Sequence, residues 1–192
     1  MASPSNILLD FSTIPSIVQQ FRKKGKKIIL TQGSFDLVHI GHGRYLEKAK
    51  SYGDVLVVGI DSDEKIKKRK GSDRPVVPEE ERAEMLTYFR SVDFVVIKPL
   101  IEKKFELVRL VKPDVLVLTE ETYAKYSPEQ LAELKTLCKK IEVMKAQATT
   151  STSAKIRLVQ IGAASKIGAA LSKKLIHSIE EVLKELKEEV GK

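Results

Sequence analysis

Short runs of consecutive apolar residues alternate along this chain with stretches whose apolar positions recur every three or four residues. Ile28–Leu30, Val55–Ile60, Val92–Ile97, Val115–Leu118 and Ile141–Met144 have no polar alternation, as expected of strands covered on both faces. Between them, Ile14, Ile17, Val18 and Phe21 predict a helix over 14–24, and Tyr45, Leu46 and Ala49 continue one that opens near His39. Further helices are expected over 79–90, with Pro78 at its start, and over 105–111 and 131–139. Segment 64–78, crowded with Lys and Arg and punctuated by Gly71, Pro75 and Pro78, reads as a loop. Strands alternating with helices at this rhythm predict an α/β protein: a Rossmann-like, doubly wound parallel sheet of five strands. Leu171, Leu175, Ile179, Val182, Leu186 and Val190 add a long amphipathic C-terminal helix. The expected organisation is a domain over 1–160 and a helical extension over 161–192, packing on that domain or on a second copy as a homodimer.

Composition narrows this little. With 192 residues, 42% hydrophobic and 31% charged, the chain has the length and content of a soluble domain with an appendage. Its single cysteine, Cys138, excludes an intramolecular disulfide framework. No apolar run reaches the roughly 20 residues needed to span a bilayer. The opening MASPSNILLDF lacks the layout of a secretory leader, so a cytoplasmic location and no membrane association are expected. The net charge of +8 gathers at Arg22–Lys27 and Lys65–Lys70. Neither cluster is interleaved with aromatic residues, which disfavours nucleic acid and suits phosphorylated small molecules. The C-terminal tail from Lys173 balances five lysines with five glutamates, unlike a basic membrane-surface helix.

The chemistry concentrates in KIILTQGSFDLVHIGHGRYLEKA, residues 27–49. A strand is followed by Gly33, which would let the chain turn and a ligand approach the backbone. Two of the chain's three histidines, His39 and His42, flank Ile40 and Gly41 where the helix opens. A helix N-terminus presents unpaired N–H groups and a partial positive charge, and two imidazoles add directional donors, so phosphate is the natural ligand. Two histidines with Asp36 alone fall short of a metal ligand set, and no dedicated metal site is expected. A second helix start is expected in AQATTSTSAKIR, where Ser151, Thr152 and Ser153 are N-cap candidates.

The run GSFDLVHIGH resembles the GxFDxxHxGH motif of the cytidylyltransferase-like nucleotidyltransferases. It is nearest the branch holding heptose-1-phosphate adenylyltransferase, glycerol-3-phosphate cytidylyltransferase and archaeal FAD synthetases. KGSDRP with Arg82 on the following helix, and the Ser151–Ser153 start, extend the resemblance over 27–157. The resemblance implies ATP or CTP as co-substrate with Mg2+, and a phosphorylated sugar or polyol as acceptor. It also implies nucleotide contacts at Gly33, Ser34, Phe35, Asp36, His39, Gly41, His42, Ser151, Thr152 and Ser153. Acceptor and triphosphate oxygens would meet Lys70, Arg74 and Arg82, with His39, His42, Lys70 and Arg82 catalytic. The letters HIGH also occur in class I aminoacyl-tRNA synthetases, but no KMSKS-like loop or anticodon-binding region follows. The chain departs from its branch after the fourth strand, where a glycine-rich segment gives way to LTEETYAKY, 118–126. That departure leaves ATP and CTP both open, and with them a nucleotide-binding module without turnover.

Overall fold

In the computed structural model, residues 8–101, 103–147 and 152–190 are described. They divide into two compact units, Met1–Thr149 and Thr150–Lys192, a division that falls before the 160/161 boundary expected from sequence.

The first unit is built on a parallel sheet of β1 (Leu8–Leu9), β2 (Ile28–Gly33), β3 (Val55–Asp61), β4 (Phe94–Lys98), β5 (Val115–Thr119) and β6 (Lys140–Met144). Their spatial order is β1-β4-β3-β2-β5-β6, and every pairing is parallel. All five expected strands form. The sixth, β1, is a two-residue edge strand beside β4, too short to leave a periodic trace in the sequence.

The pleat sorts the core in two. Ile28, Leu30, Val57 and Leu116 face α1 (Ile14–Lys23), α5 (Glu106–Val111) and α7 (Pro128–Leu137). Ile29, Leu56, Val58 and Val117 face α2 (Ile40–Lys50) and α4 (Glu79–Thr87). Because both faces are covered, the strands carry no polar alternation. Parallel strands joined by crossovers place the loops after each strand at one edge, and ligands gather there where the strand order reverses. Here the order reverses between β2 and β5.

Two short helices were not foreseen, one of them in the segment read as loop. Asp63–Lys70 forms α3, capped by the Ser62 hydroxyl, which accepts from Lys65 N–H at 3.3 Å. Its acidic first turn and basic last turn both complement the helix dipole, and only Ile66 is buried, so no apolar period betrays it. Glu120–Tyr123 forms α6 directly after β5.

The second unit is α8, Thr152–Val190, a single 39-residue helix that absorbs the segment before Leu171 as well. Ile161, Leu171 and Leu175 on it are exposed. No described helix is long and apolar enough to cross a membrane.

Candidate phosphate site at the switch point

The chain leaves β2 at Gly33 and turns through Phe35 and Leu37, whose φ angles of 48° and 45° lie in the left-handed region. The turn is therefore made by side-chain-bearing residues, and Gly33 serves a different purpose. A Cβ there would lie 3.1 Å from the Phe35 ring, so that ring fills the space expected for a ligand. Non-glycine residues in this conformation cost about 1 kcal/mol or more and persist only where their surroundings fix them.

Asp36 fixes this turn. It is 3% exposed, and its carboxylate accepts from Arg74 Nε at 2.9 Å, Val76 N–H at 3.1 Å and Val77 N–H at 3.1 Å. Burial pushes its pKa up, but the two backbone donors and the Arg74 guanidinium outweigh that and hold it below the usual carboxylate value. Arg82 locks the same turn from beneath. It is 1% exposed, donating to the carbonyls of Ser34 (2.6 Å), Val77 (2.9 Å) and Asp61 (3.0 Å) and to the Asp63 carboxylate (2.6 Å). Asp36, Arg74 and Arg82 were expected to touch nucleotide or acceptor. In the structure all three bind the turn, the end of β3 and the approach to α4 to one another.

On this scaffold His39 and His42 cap α2 reciprocally. Gly41 N–H donates to His39 Nδ1 at 3.1 Å, and His39 N–H donates to His42 Nδ1 at 3.3 Å. This capping box uses imidazoles where Ser and Glu are usual. With Nδ1 accepting in both rings, the proton of each neutral imidazole is assigned to Nε2. The rings lie 4.1 Å apart, and the His42 ring also packs at 5.4 Å, tilted, against Phe35. Two Nε2–H donors are thus presented side by side at a helix N-terminus, with orientations set by the backbone. Tyr45, one turn on, secures the helix to the switch point: its hydroxyl meets Thr31 Oγ1 at 2.7 Å and donates to Val117 O at 3.2 Å. Burial raises the Tyr45 pKa to about 12.

Across the crevice, Lys70 at the end of α3 donates to Ser34 Oγ at 3.0 Å. The residue is exposed, yet its pKa is lowered, first by desolvation of the ammonium and then by Arg69 and Arg74. Asp61, 2% exposed at the end of β3, pairs with Lys98 and Arg69, each at 2.9 Å, and with Lys65 at 4.0 Å. Burial raises its pKa, and Lys98, Arg69 and Lys65 together bring it below the ordinary value. Neither the Asp61 cluster nor the bracing role of Arg82 was foreseen. The position of Asp61 at a strand end beside a basic run was the available signal.

The far wall is the departing segment, 118–126. Thr119 Oγ1 caps α6, accepting from Thr122 N–H at 3.2 Å and donating to Thr122 Oγ1 at 2.9 Å. Side-chain hydroxyls therefore stand beside the switch point where the branch carries glycines. Of the second expected phosphate seat, Ser151 lies outside the described residues, and Thr152 and Ser153 open α8. A separate groove of about 480 Å³ between the turn and α4 has a mostly apolar lining that includes Phe35, Leu37, Met85 and Tyr88, with Glu81, Glu84 and Arg82 among its residues.

The fold and site define a class: an α/β protein with a Rossmann-like parallel sheet and a histidine-capped helix N-terminus at its switch point. The chain belongs to the cytidylyltransferase-like family, which matches residues 30–159. It is 45% identical over 116 residues to the bifunctional protein HldE of Nitratiruptor sp., covering 60% of this chain and 25% of that protein. It is 39% identical over 150 residues to HldE of Sulfurimonas denitrificans, covering 77% and 30%. The chain thus spans about a third or less of these relatives' lengths. Among solved structures, a lipopolysaccharide core biosynthesis protein from Thermoplasma volcanium superposes with a TM-score of 0.52 at 25% identity, covering 64% of this chain and 97% of that one. Pantoate-beta-alanine ligase from Francisella tularensis shares the fold, with a TM-score of 0.54 at 21% identity and coverage of 77% and 69%.

Proposed function

We propose that the chain is a nucleotidyltransferase joining the nucleoside monophosphate of ATP or CTP to a phosphorylated sugar or polyol. Of these, an adenylyl transfer to a heptose-1-phosphate-like acceptor is favoured. The observation that carries this reading is the pair of imidazoles held at the α2 N-terminus by their reciprocal capping box, at the switch point. The branch resemblance, the HldE relatives and the lipopolysaccharide core biosynthesis neighbour support a sugar acceptor.

In this reaction an acceptor phosphate oxygen attacks the α-phosphorus, the bond to the bridging oxygen breaks, and pyrophosphate leaves. The protein's part is alignment and charge stabilisation. His39 and His42 would donate to the α- and β-phosphate oxygens as charge builds on them. Lys70, held over Ser34, would neutralise the triphosphate. Asp36, Arg74 and Arg82 act through the turn they brace, as positioning residues. Ser151, Thr152 and Ser153 are assigned to the β/γ end on the family resemblance alone. Among the described residues no group of three or more His, Cys, Asp or Glu converges, so Mg2+ would be held by triphosphate oxygens and water. A cytoplasmic location and a homodimer formed through the exposed apolar positions of α8 complete the reading; sedimentation across a concentration series tests the dimer.

A second reading, a nucleotide-binding module, is favoured by the hydroxyl- and carboxylate-bearing α6 segment. Pyrophosphate release separates the two: turnover with any triphosphate and sugar phosphate pair establishes the transferase, and binding without turnover establishes the module.

A further inference from the structure

The bracing roles of Arg74 and Arg82 leave the acceptor phosphate without the cations expected for it. Arg82 has no exposed donor, and the Arg74 side chain is 14% exposed and committed to Asp36. Turning Arg82 away would strip the carbonyls of Ser34, Val77 and Asp61 of its donors, and turning Arg74 away would leave the buried Asp36 carboxylate without the cation that pairs with it. Arg69 differs on both counts. Its side chain is 53% exposed, and its partner Asp61 keeps Lys98 at 2.9 Å if Arg69 turns away. Three cations gather round one buried carboxylate here, leaving net positive charge at the ends of β3 and β4.

We infer that Arg69 binds the acceptor phosphate, with Asp61 as the positioning residue that holds its guanidinium at the rim; this rests on the transferase reading. Lys70 and Arg69 are adjacent on the last turn of α3 but reach different partners: Lys70 reaches Ser34 in the histidine turn, and Arg69 reaches Asp61 at the end of β3. The triphosphate belongs with the histidines and Lys70, so the neighbouring cation at the end of β3 is placed for the second phosphate. Arg69 also acts electrostatically on Lys70, Glu121 and Tyr126, so its charge reaches α6 and the segment after it. A guanidinium forms two parallel bonds to phosphate, which fixes an acceptor's direction as a lysine cannot.

The test uses the full chain, ATP and a panel of sugar 1-phosphates. Arg69→Gln should raise the acceptor KM about tenfold or more and change kcat and the Kd for a fluorescent ATP analogue by less than about threefold. Arg69→Lys should recover part of the loss, Asp61→Asn should raise the acceptor KM without moving the ATP Kd, and Lys67→Gln, on the exposed side of α3, should change nothing. Weakened ATP binding with an unchanged acceptor KM would assign Arg69 to the triphosphate and overturn the inference, as would no change at all. A wild type that binds ATP but releases no pyrophosphate would sink the transferase reading separately. Calorimetry of a sugar 1-phosphate on the ATP-loaded protein then decides for Arg69: tenfold weaker binding in Arg69→Gln supports it, and equal or absent binding in both proteins overturns it.

Discussion

Replacing Arg82 with methionine separates a bracing residue from a ligand. The substitution keeps most of the side-chain volume and deletes four donated hydrogen bonds, to Ser34 O, Val77 O, Asp61 O and the Asp63 carboxylate. Each buried carbonyl left unpaired costs about 1–3 kcal/mol, whereas Asp63, about a quarter exposed, regains water. Removing a buried cation also removes its own desolvation penalty, which trims the sum, so the net loss should be about 3–5 kcal/mol. For a unit of this size that lowers Tm by roughly 10 °C. Thermal unfolding of the ligand-free protein, followed by circular dichroism, is the assay. Activity should fall too, because the Ser34 carbonyl anchors the turn that carries the histidines. If Arg82→Met melts with the wild type while triphosphate no longer raises its Tm, Arg82 is a phosphate ligand and the bracing argument is wrong.

Other expectations concern the turn, the cap and the helix beneath them. His42→Ala should lower kcat about 100-fold or more, by removal of one donor to the developing charge, at a stability cost of only about 1 kcal/mol for the lost capping bond; steady-state kinetics with a melting curve checks both. The folded pKa of Asp36 lies below its unfolded value of 3.8. Its contribution to stability is therefore complete above that value and lost as pH falls through the lower folded one. Asp36→Asn should accordingly flatten the acid limb of a urea-unfolding pH series and lower stability at neutral pH. Tyr45 works in the opposite direction, because the folded protein keeps the phenol neutral to about 12. Stability should decline by about 2 kcal/mol between pH 10 and 12, and Tyr45→Phe should remove most of that slope.

The parallel sheet was legible because strands buried on both faces write uninterrupted apolar runs, and the opening of α2 because two histidines mark it after one of them. Helix α3 was not, since Ile66 alone is buried and its charges obey the helix dipole, which looks like a loop when only hydrophobic period is read. The arginines show a second limit. Arg69, Arg74 and Arg82 are equal as letters near a phosphate motif, yet burial assigns two to the scaffold and leaves one at the rim. That assignment depends on where carbonyls and carboxylates 19–48 residues distant come to rest, as with Asp63 and Ser34 around Arg82. Gly33 carries the same lesson, its open space having been claimed by Phe35 two residues on.

The most direct measurement is pyrophosphate release with ATP and with CTP, each against sugar, polyol and amino-alcohol phosphates. Turnover with ATP and a sugar 1-phosphate of the heptose type, abolished by His42→Ala, is the predicted result. Triphosphate binding with no pyrophosphate from any pair would contradict the transferase reading.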